Sequence, residues 1–153
     1  MEISELGLDL IKLFEGCHLQ AYPDPGTGGD PWTIGYGTTK GVRPGMVITK
    51  NEAEAMLRED VRDCEFAVTG LVEIELSQLE FDALVSFVYN CGYSAFQFST
   101  LLKRLNKGDP RCRVYQEELN RWTKGGDGEV LPGLVRRRQE EADMACEGYY
   151  YRP

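Results

Sequence analysis

Apolar side chains recur at helical spacing over residues 3–14, where Ile3, Leu6, Leu8, Leu10, Ile11, Leu13 and Phe14 are interleaved with polar positions. Gly16 follows, so the spacing predicts a helix that ends there. The pattern then changes. Residues 17–48 hold Pro23, Pro25, Pro31, Pro44 and many glycines around short aromatic and β-branched pieces, WTIGYG and MVIT. Such punctuation reads as a small antiparallel sheet with tight turns. Beyond it the period is helical again. Thr49 and Glu52 stand at capping-box spacing and open a helix to about residue 68. Ser77 and Glu80 repeat the device and open a helix with Leu79, Ala83, Leu84, Phe87 and Val88 on one side. Ser99 or Thr100 caps TLLKRLN, which Gly108 ends. Asp109 before Pro110 supplies an N-cap followed by proline at the first helical position. A last helix is expected from about Pro132 to Cys146.

The expected class is therefore α+β. A small N-terminal antiparallel sheet lobe, about residues 17–48, joins a larger helical lobe, about residues 49–147 plus the first helix, within one domain of residues 1–153. A cleft between two such lobes is the natural place for a site.

Composition narrows the function. With 153 residues and 42% hydrophobic content the chain can bury a real core, roughly two thirds of its unfolded surface at this size. Its net charge of −8 argues against a general nucleic-acid binder and gives no long-range pull toward anionic surfaces. No run of about 18 apolar residues is present, so no membrane insertion is expected. The opening MEISELGLDLIKLFEG carries acids where a signal peptide carries bases. Cys17, Cys64, Cys91, Cys112 and Cys146 show no CxxC spacing and His18 is the one histidine, so neither a metal site nor a cofactor is expected. The odd cysteine count and the missing signal favour reduced thiols over one or two disulfides with a spare thiol.

The chemistry concentrates in FEGCHLQAYPDPGTGGDPWTIGYGTT, residues 14–39. Paired carboxylates do general acid–base work when their surroundings differ. Glu15 sits at a helix end beside Phe14, where partial burial favours a protonated acid. Asp24 lies in YPDPG, a solvated turn in which it stays ionised and can hold a water. Thr33 alternates with Trp32 and Ile34 along a strand, so its hydroxyl faces the other way. Taken singly, each has an ordinary reading: a solvated acid, a turn residue, a strand threonine. Asp30, in GGDPW, competes with Asp24 on equal terms.

Three long blocks, EG…AYPDPGTGGDPWTIGYG at 15–37, LEFDALVSFVYNCGYSAFQFSTLLKRLNKGD at 79–109 and RWTKGGDGEVLPGLVRRRQEE at 121–141, resemble the phage-type lysozymes of glycoside hydrolase family 24 in the same order. The resemblance covers about residues 7–147. It implies a lysozyme-like fold and a muramidase that hydrolyses the β-1,4 bond between N-acetylmuramic acid and N-acetylglucosamine with inversion. Glu15 corresponds to the catalytic acid, Asp24 to the catalytic aspartate, ahead of Asp30, and Thr33 to the catalytic threonine. Substrate-lining positions follow at Trp32, Tyr36, Tyr89, Asn90 and Thr100, and Arg137, within the Arg136–Arg138 run, is the arginine expected to orient Glu15. The rival readings are a non-catalytic peptidoglycan-binding module and a lytic transglycosylase.

The same resemblance implies an endolysin made in the host cytoplasm, monomeric, with peptidoglycan as partner and dependent on a membrane-permeabilising protein to reach the wall. One departure stands out. Members of the family often carry GHT where this chain has Gly37-Thr38-Thr39, so a structural histidine is missing. His18, three residues after Glu15, reads as an exposed polar residue.

Overall fold

The structure is a computed structural model that describes residues 1–150. Its elements run α1 (Glu5–Glu15), β1 (His18–Tyr22), β2 (Thr33–Gly35), α2 (Lys50–Leu71), α3 (Gln78–Cys91), α4 (Tyr93–Gln97), α5 (Thr100–Lys107), α6 (Arg111–Val114) and α7 (Pro132–Tyr150), with a π-helical turn over Tyr115–Leu119 directly after α6. This is the expected α+β class. The chain divides into two compact units. One takes residues 11–62, the other residues 1–10 together with the chain from residue 63 onward, so α1 and α2 each contribute to both. The sheet-bearing unit thus runs on through the first half of α2, beyond the boundary near residue 48 read from the sequence.

In the sheet-bearing unit, β1 and β2 pair antiparallel with His18 opposite Gly35 and Tyr22 opposite Thr33. On its other edge β1 takes the 46–48 segment: Ala21 N–H donates to Met46 O at 2.9 Å and Ile48 N–H to Leu19 O at 2.9 Å. MVIT therefore contributes a bridge rather than a full strand. Ile11, Ile34, Tyr36, Ile48, Ala53, Leu57 and Val61 form the core beneath it, all at most 5% exposed. The Thr49 capping box closes reciprocally. Glu52 N–H donates to Thr49 Oγ1 at 3.1 Å and Thr49 N–H to Glu52 Oε1 at 3.2 Å.

The helical unit is built on α3, in which every residue from Glu80 to Val88 is buried. Its Ser77–Glu80 capping box is also complete. Helix α7 packs along α3, and at its end the approach is so close that only glycine fits. A Cβ on Gly148 would meet Ser77 Oγ at 2.6 Å and Leu79 Cβ at 2.7 Å. Phe87 is the aromatic centre, edge-on to Phe96 at 6.2 Å and to Trp122 at 5.5 Å between ring centroids.

Buried acids in this unit are matched by donors. Glu80 accepts from Arg111 Nη1 at 3.0 Å on both oxygens, from the Tyr115 hydroxyl at 2.9 Å and from Ser77 N–H at 2.8 Å. Asp82 accepts from Ser4 N–H at 3.0 Å, from the Ser4 hydroxyl and from Gln78 Nε2 at 2.8 Å. Such groups are tolerated in a core because donors face each of these carboxylates.

Three sequence-based expectations need correction. Asp109 does not cap α6. Pro110 takes the N-cap position without a side-chain bond, because the Asp109 carboxylate is engaged by Arg104 Nε at 3.0 Å. Helix α7 continues to Tyr150 rather than stopping near Cys146. The cysteines are not all reduced: α6 and α7 lie side by side, and Cys112 and Cys146, with Cα atoms 5.0 Å apart, form a disulfide. Cys17, Cys64 and Cys91 lie outside this disulfide. No helix among the described residues is long and apolar enough to cross a membrane.

Candidate active site

Glu15 is the last residue of α1 and is half-buried. Gly16 N–H closes the final helical turn on Lys12 O at 3.0 Å, and Gly16 then turns the chain with φ +68, a conformation that a side chain would strain. Two residues later β1 begins. The sequence FEG thus delivers an acid at a helix end directly into a strand.

Asp24 follows β1 by two residues. Its Oδ2 accepts from Gly26 N–H at 3.0 Å and Thr27 N–H at 3.1 Å, which makes an Asx turn. Its backbone is held as well: Asp24 N–H donates to Gly29 O at 2.9 Å, and Gly28 N–H donates to Asp24 O at 2.8 Å. The result is a carboxylate fixed through one oxygen on a rigid turn. Both of its donors are backbone amides. Asp30 stands differently: its side chain is exposed, and its carbonyl accepts from Thr27 Oγ1 at 2.7 Å, closing the glycine-rich loop. Asp30 therefore ends the loop, whereas Asp24 is presented by it.

Thr33 opens β2 opposite Tyr22, the residue two before Asp24. Ile34 is fully buried, so alternation along the strand turns Thr33 and its half-buried neighbourhood away from the core. Glu15, Asp24 and Thr33 accordingly belong to one compact unit, each fixed by local hydrogen bonding or strand register.

The lining positions divide. Trp32 is half-buried. Tyr36 is 4% exposed, and its hydroxyl hydrogen-bonds Cys17 and Glu54, so it offers no face to a ligand. That corrects the expectation that it stacks on substrate. In the helical unit, Tyr89 is half-buried and Thr100 is exposed at the start of α5, where Ser99 is the cap, its Oγ accepting from Leu102 N–H at 3.1 Å.

Asn90 is exposed and borders a cavity of about 440 Å³, lined also by Cys91, Arg121, Trp122, Lys124 and Leu134. Its amide orientation is set chemically. Arg138 Nη2 can only donate, so the Oδ1 at 2.8 Å is the atom facing it and the Asn90 NH2 remains for a ligand. Arg138 and Glu141, both fully buried, make a charged contact at 2.7 Å, and Glu141 also accepts from the Ser86 hydroxyl at 2.7 Å. Arg137 lies in the same cluster, with Nη2 3.3 Å from Ser86 O and Nε 3.6 Å from Glu141. Periodicity alone did not reveal this cluster, because RRRQEE reads as a solvated helix face.

Residues 12–141 match the phage lysozyme family. The chain belongs to that family. An endolysin of Acyrthosiphon pisum secondary endosymbiont phage 1 is 43% identical over 144 residues, which cover 92% of this chain and 95% of that protein. An endolysin of Bacillus phage PZA is 46% identical over 149 residues, 97% of this chain but 56% of its own length. Against that longer relative this phage lysozyme spans little more than half. Among solved structures, the muramidase domain of SpmX from Asticaccaulis excentricus superposes with a TM-score of 0.85 at 41% identity, covering 94% of this chain and 96% of that one. With the family comes the activity class: the lysozyme is a glycoside hydrolase of the muramidase type.

Proposed function

We propose that the enzyme acts as an endolysin on bacterial peptidoglycan, hydrolysing the β-1,4 bond between N-acetylmuramic acid and N-acetylglucosamine with inversion. Glu15 is the general acid that protonates the leaving oxygen. Asp24 and Thr33 hold the attacking water, and the Asp24 charge stabilises the oxocarbenium-like transition state. The observation that carries this reading is the Asx turn at Asp24 set against the Tyr22–Thr33 register. It fixes a carboxylate by one oxygen and brings a strand hydroxyl within two residues of it. A carboxylate held in place before substrate arrives supplies electrostatic stabilisation with little reorganisation.

Trp32, half-buried beside Thr33, supports saccharide stacking, and Asn90 supports hydrogen bonding to sugar or amide oxygens through its free NH2. In keeping with the family resemblance, the enzyme works as a monomer and reaches the wall from the host cytoplasm once a separate protein has permeabilised the membrane.

The test is mass analysis of fragments released from purified peptidoglycan. Wild type is expected to give N-acetylmuramic acid reducing ends, and Glu15→Gln none, with its Tm essentially unchanged. Anhydro-sugar products would replace hydrolysis by transglycosylation, and a fully active Glu15→Gln enzyme would end the assignment of the acid. Anomer-resolved NMR of the first product decides inversion.

A further inference from the structure

We propose that Arg138 is a positioning residue. From inside the helical unit it fixes the side-chain amide of Asn90, so that the NH2 is held ready at the neighbouring cavity for an acceptor oxygen of the substrate. The inference deepens the role given to Asn90 above and rests on that reading.

The contacts converge on one oxygen. Arg138 Nη2 donates to Asn90 Oδ1 at 2.8 Å, and Arg138 Nη1 donates to Cys91 Sγ at 2.9 Å. The Cys91 thiol in turn donates to Asn90 Oδ1 at 3.7 Å. Burial pushes that thiol up, so it keeps its S–H near neutral pH. Two donors therefore face the carbonyl end of the amide, and an amide turned the other way would set its NH2 against them. The NH2 has no hydrogen-bond partner among the described residues, and Asn90 is exposed and lines the cavity of about 440 Å³. The charged side chains on the same cavity, Arg121 and Lys124, are donors as well. A ligand group that meets Asn90 there must be an acceptor.

Arg138 is itself held from several sides. It is fully buried, with its guanidinium carbon 5.1 Å from the Phe87 ring centroid. Glu141 Oε1 lies 2.7 Å from its Nε, and Glu141 Oε2 accepts from its Nη2 at 3.4 Å. The Ser86 hydroxyl holds Glu141 in turn at 2.7 Å. Helix α3 supplies Ser86, Phe87, Asn90 and Cys91, and α7 supplies Arg138 and Glu141, so the whole set belongs to the helical unit. A buried ion pair often contributes no more to stability than apolar side chains of the same volume. This one does something apolar side chains cannot: the outer edge of its guanidinium reaches an exposed asparagine and removes its rotational freedom before a ligand arrives. Ordering a mobile side chain on binding weakens affinity roughly 2- to 10-fold, and a preorganised one escapes that loss.

NMR relaxation of side-chain amides in the wild-type protein reads the positioning directly. The Asn90 NH2, assigned by its loss in Asn90→Asp, is expected to show an order parameter near the rigid-backbone value of about 0.85 without substrate, and a value below about 0.6 overturns the proposal. Turnover of soluble peptidoglycan fragments, with kcat and KM separated, reads the donor. Asn90→Asp still accepts from Arg138 and loses only the NH2. Its KM is expected to rise about 5- to 100-fold, the factor for an acceptor left without its donor, with kcat within about twofold. An unchanged KM overturns the proposal. Arg138→Lys keeps the charge beside Glu141 and loses the two-pronged contact. Well below its Tm, its KM is expected to rise roughly 2- to 10-fold. In that background Asn90→Asp should cost correspondingly less, because both changes act on one bond. Additive effects overturn the positioning role and leave Arg138 a structural residue. The wild-type order parameter decides the matter if Arg138→Lys does not fold. Anhydro-sugar products, or an active Glu15→Gln enzyme, reject the hydrolytic reading without touching the Asn90 amide. Fragments with N-acetylmuramic acid reducing ends beside a mobile Asn90 amide reject the positioning alone.

Discussion

Thr38 Oγ1 donates to Asp60 Oδ2 at 2.5 Å, with Thr38 only 5% exposed. This is the position at which family members often carry histidine. A neutral hydroxyl here satisfies the carboxylate where a cationic ring would otherwise pair with it, so the missing histidine leaves no hole in the local hydrogen bonding. Thr38→Val keeps the shape and removes the donor. It is expected to destabilise the fold by about 1–3 kcal/mol, the range for depriving a part-buried acceptor of its donor. Denaturant unfolding of the two proteins checks this, and a change below the error of the measurement would show that the bond contributes nothing net.

The buried charges of the helical unit make a second, larger prediction. Arg138 is fully buried, packs its guanidinium 5.1 Å from the Phe87 ring centroid and contacts Glu141 at 2.7 Å. Glu141→Gln removes the only carboxylate in contact with Arg138 among the described residues. Breaking a buried pair on one side costs about 3–5 kcal/mol because a charge stays behind. The Tm of Glu141→Gln should fall far more than that of Glu59→Gln, whose pair with Arg62 is exposed on both sides and contributes roughly 0–1 kcal/mol.

What the sequence revealed and what it concealed follow from range. Both capping boxes, at Thr49–Glu52 and Ser77–Glu80, were legible because three residues contain the whole interaction. The Gly108 stop was legible for the same reason, with φ +88 in the left-handed region. Asp109 misled because its competitor, Arg104, sits five residues back on a helix that itself had to be placed first. Helix α4 went unseen because Phe96, its buried residue, is held by packing on Phe87 rather than by any periodic pattern. For the candidate site, Glu15, Asp24 and Thr33 were picked from local chemistry together with the family resemblance, and all three fall within the sheet-bearing unit. Tyr36 was misassigned because strand alternation does not say which aromatic ends in the core.

The disulfide bears on where the protein is most stable. Cys112 and Cys146 close a loop across a sequence separation of 34 residues, which corresponds to about 3–4 kcal/mol of stabilisation in the chain-entropy description. Adding reductant, or making Cys112→Ser with Cys146→Ser, should lower the unfolding free energy by up to that amount, with the oxidised protein the more stable. An unchanged denaturation midpoint under reductant would mean that the close packing of α7 on α3 at Gly148 holds the terminus without covalent help.

Free thiols offer a kinetic check on local environment. Cys17 is exposed, whereas Cys91 is half-buried, with burial pushing its thiol up against the pull of Arg138. A raised value leaves less thiolate at pH 8, so alkylation of Cys91 should lag well behind that of Cys17. Mass spectrometry of iodoacetamide-treated protein should show Cys17 modified first, and Cys17→Ser should delete the fast phase.

The two aspartates of the glycine-rich loop give the sharpest test of the site. Asp24 and Asp30 stand six residues apart in one turn-rich sequence, yet only Asp24 has a carboxylate oxygen bound by two backbone amides. Asp24→Asn can still accept from Gly26 and Thr27 through its amide oxygen, so the turn and the Tm should survive. What disappears is the negative charge, which in the proposed mechanism stabilises the oxocarbenium-like transition state and accepts from the attacking water. A loss of about 10²–10³ in kcat is expected, the size typical of deleting one preorganised electrostatic contact. Asp30→Asn, at an exposed position whose structural contribution is its backbone carbonyl, should retain wild-type turnover. If instead Asp30→Asn were the inactive variant, the loop would be presenting the other acid, and the Asx turn at Asp24 would be a folding feature alone.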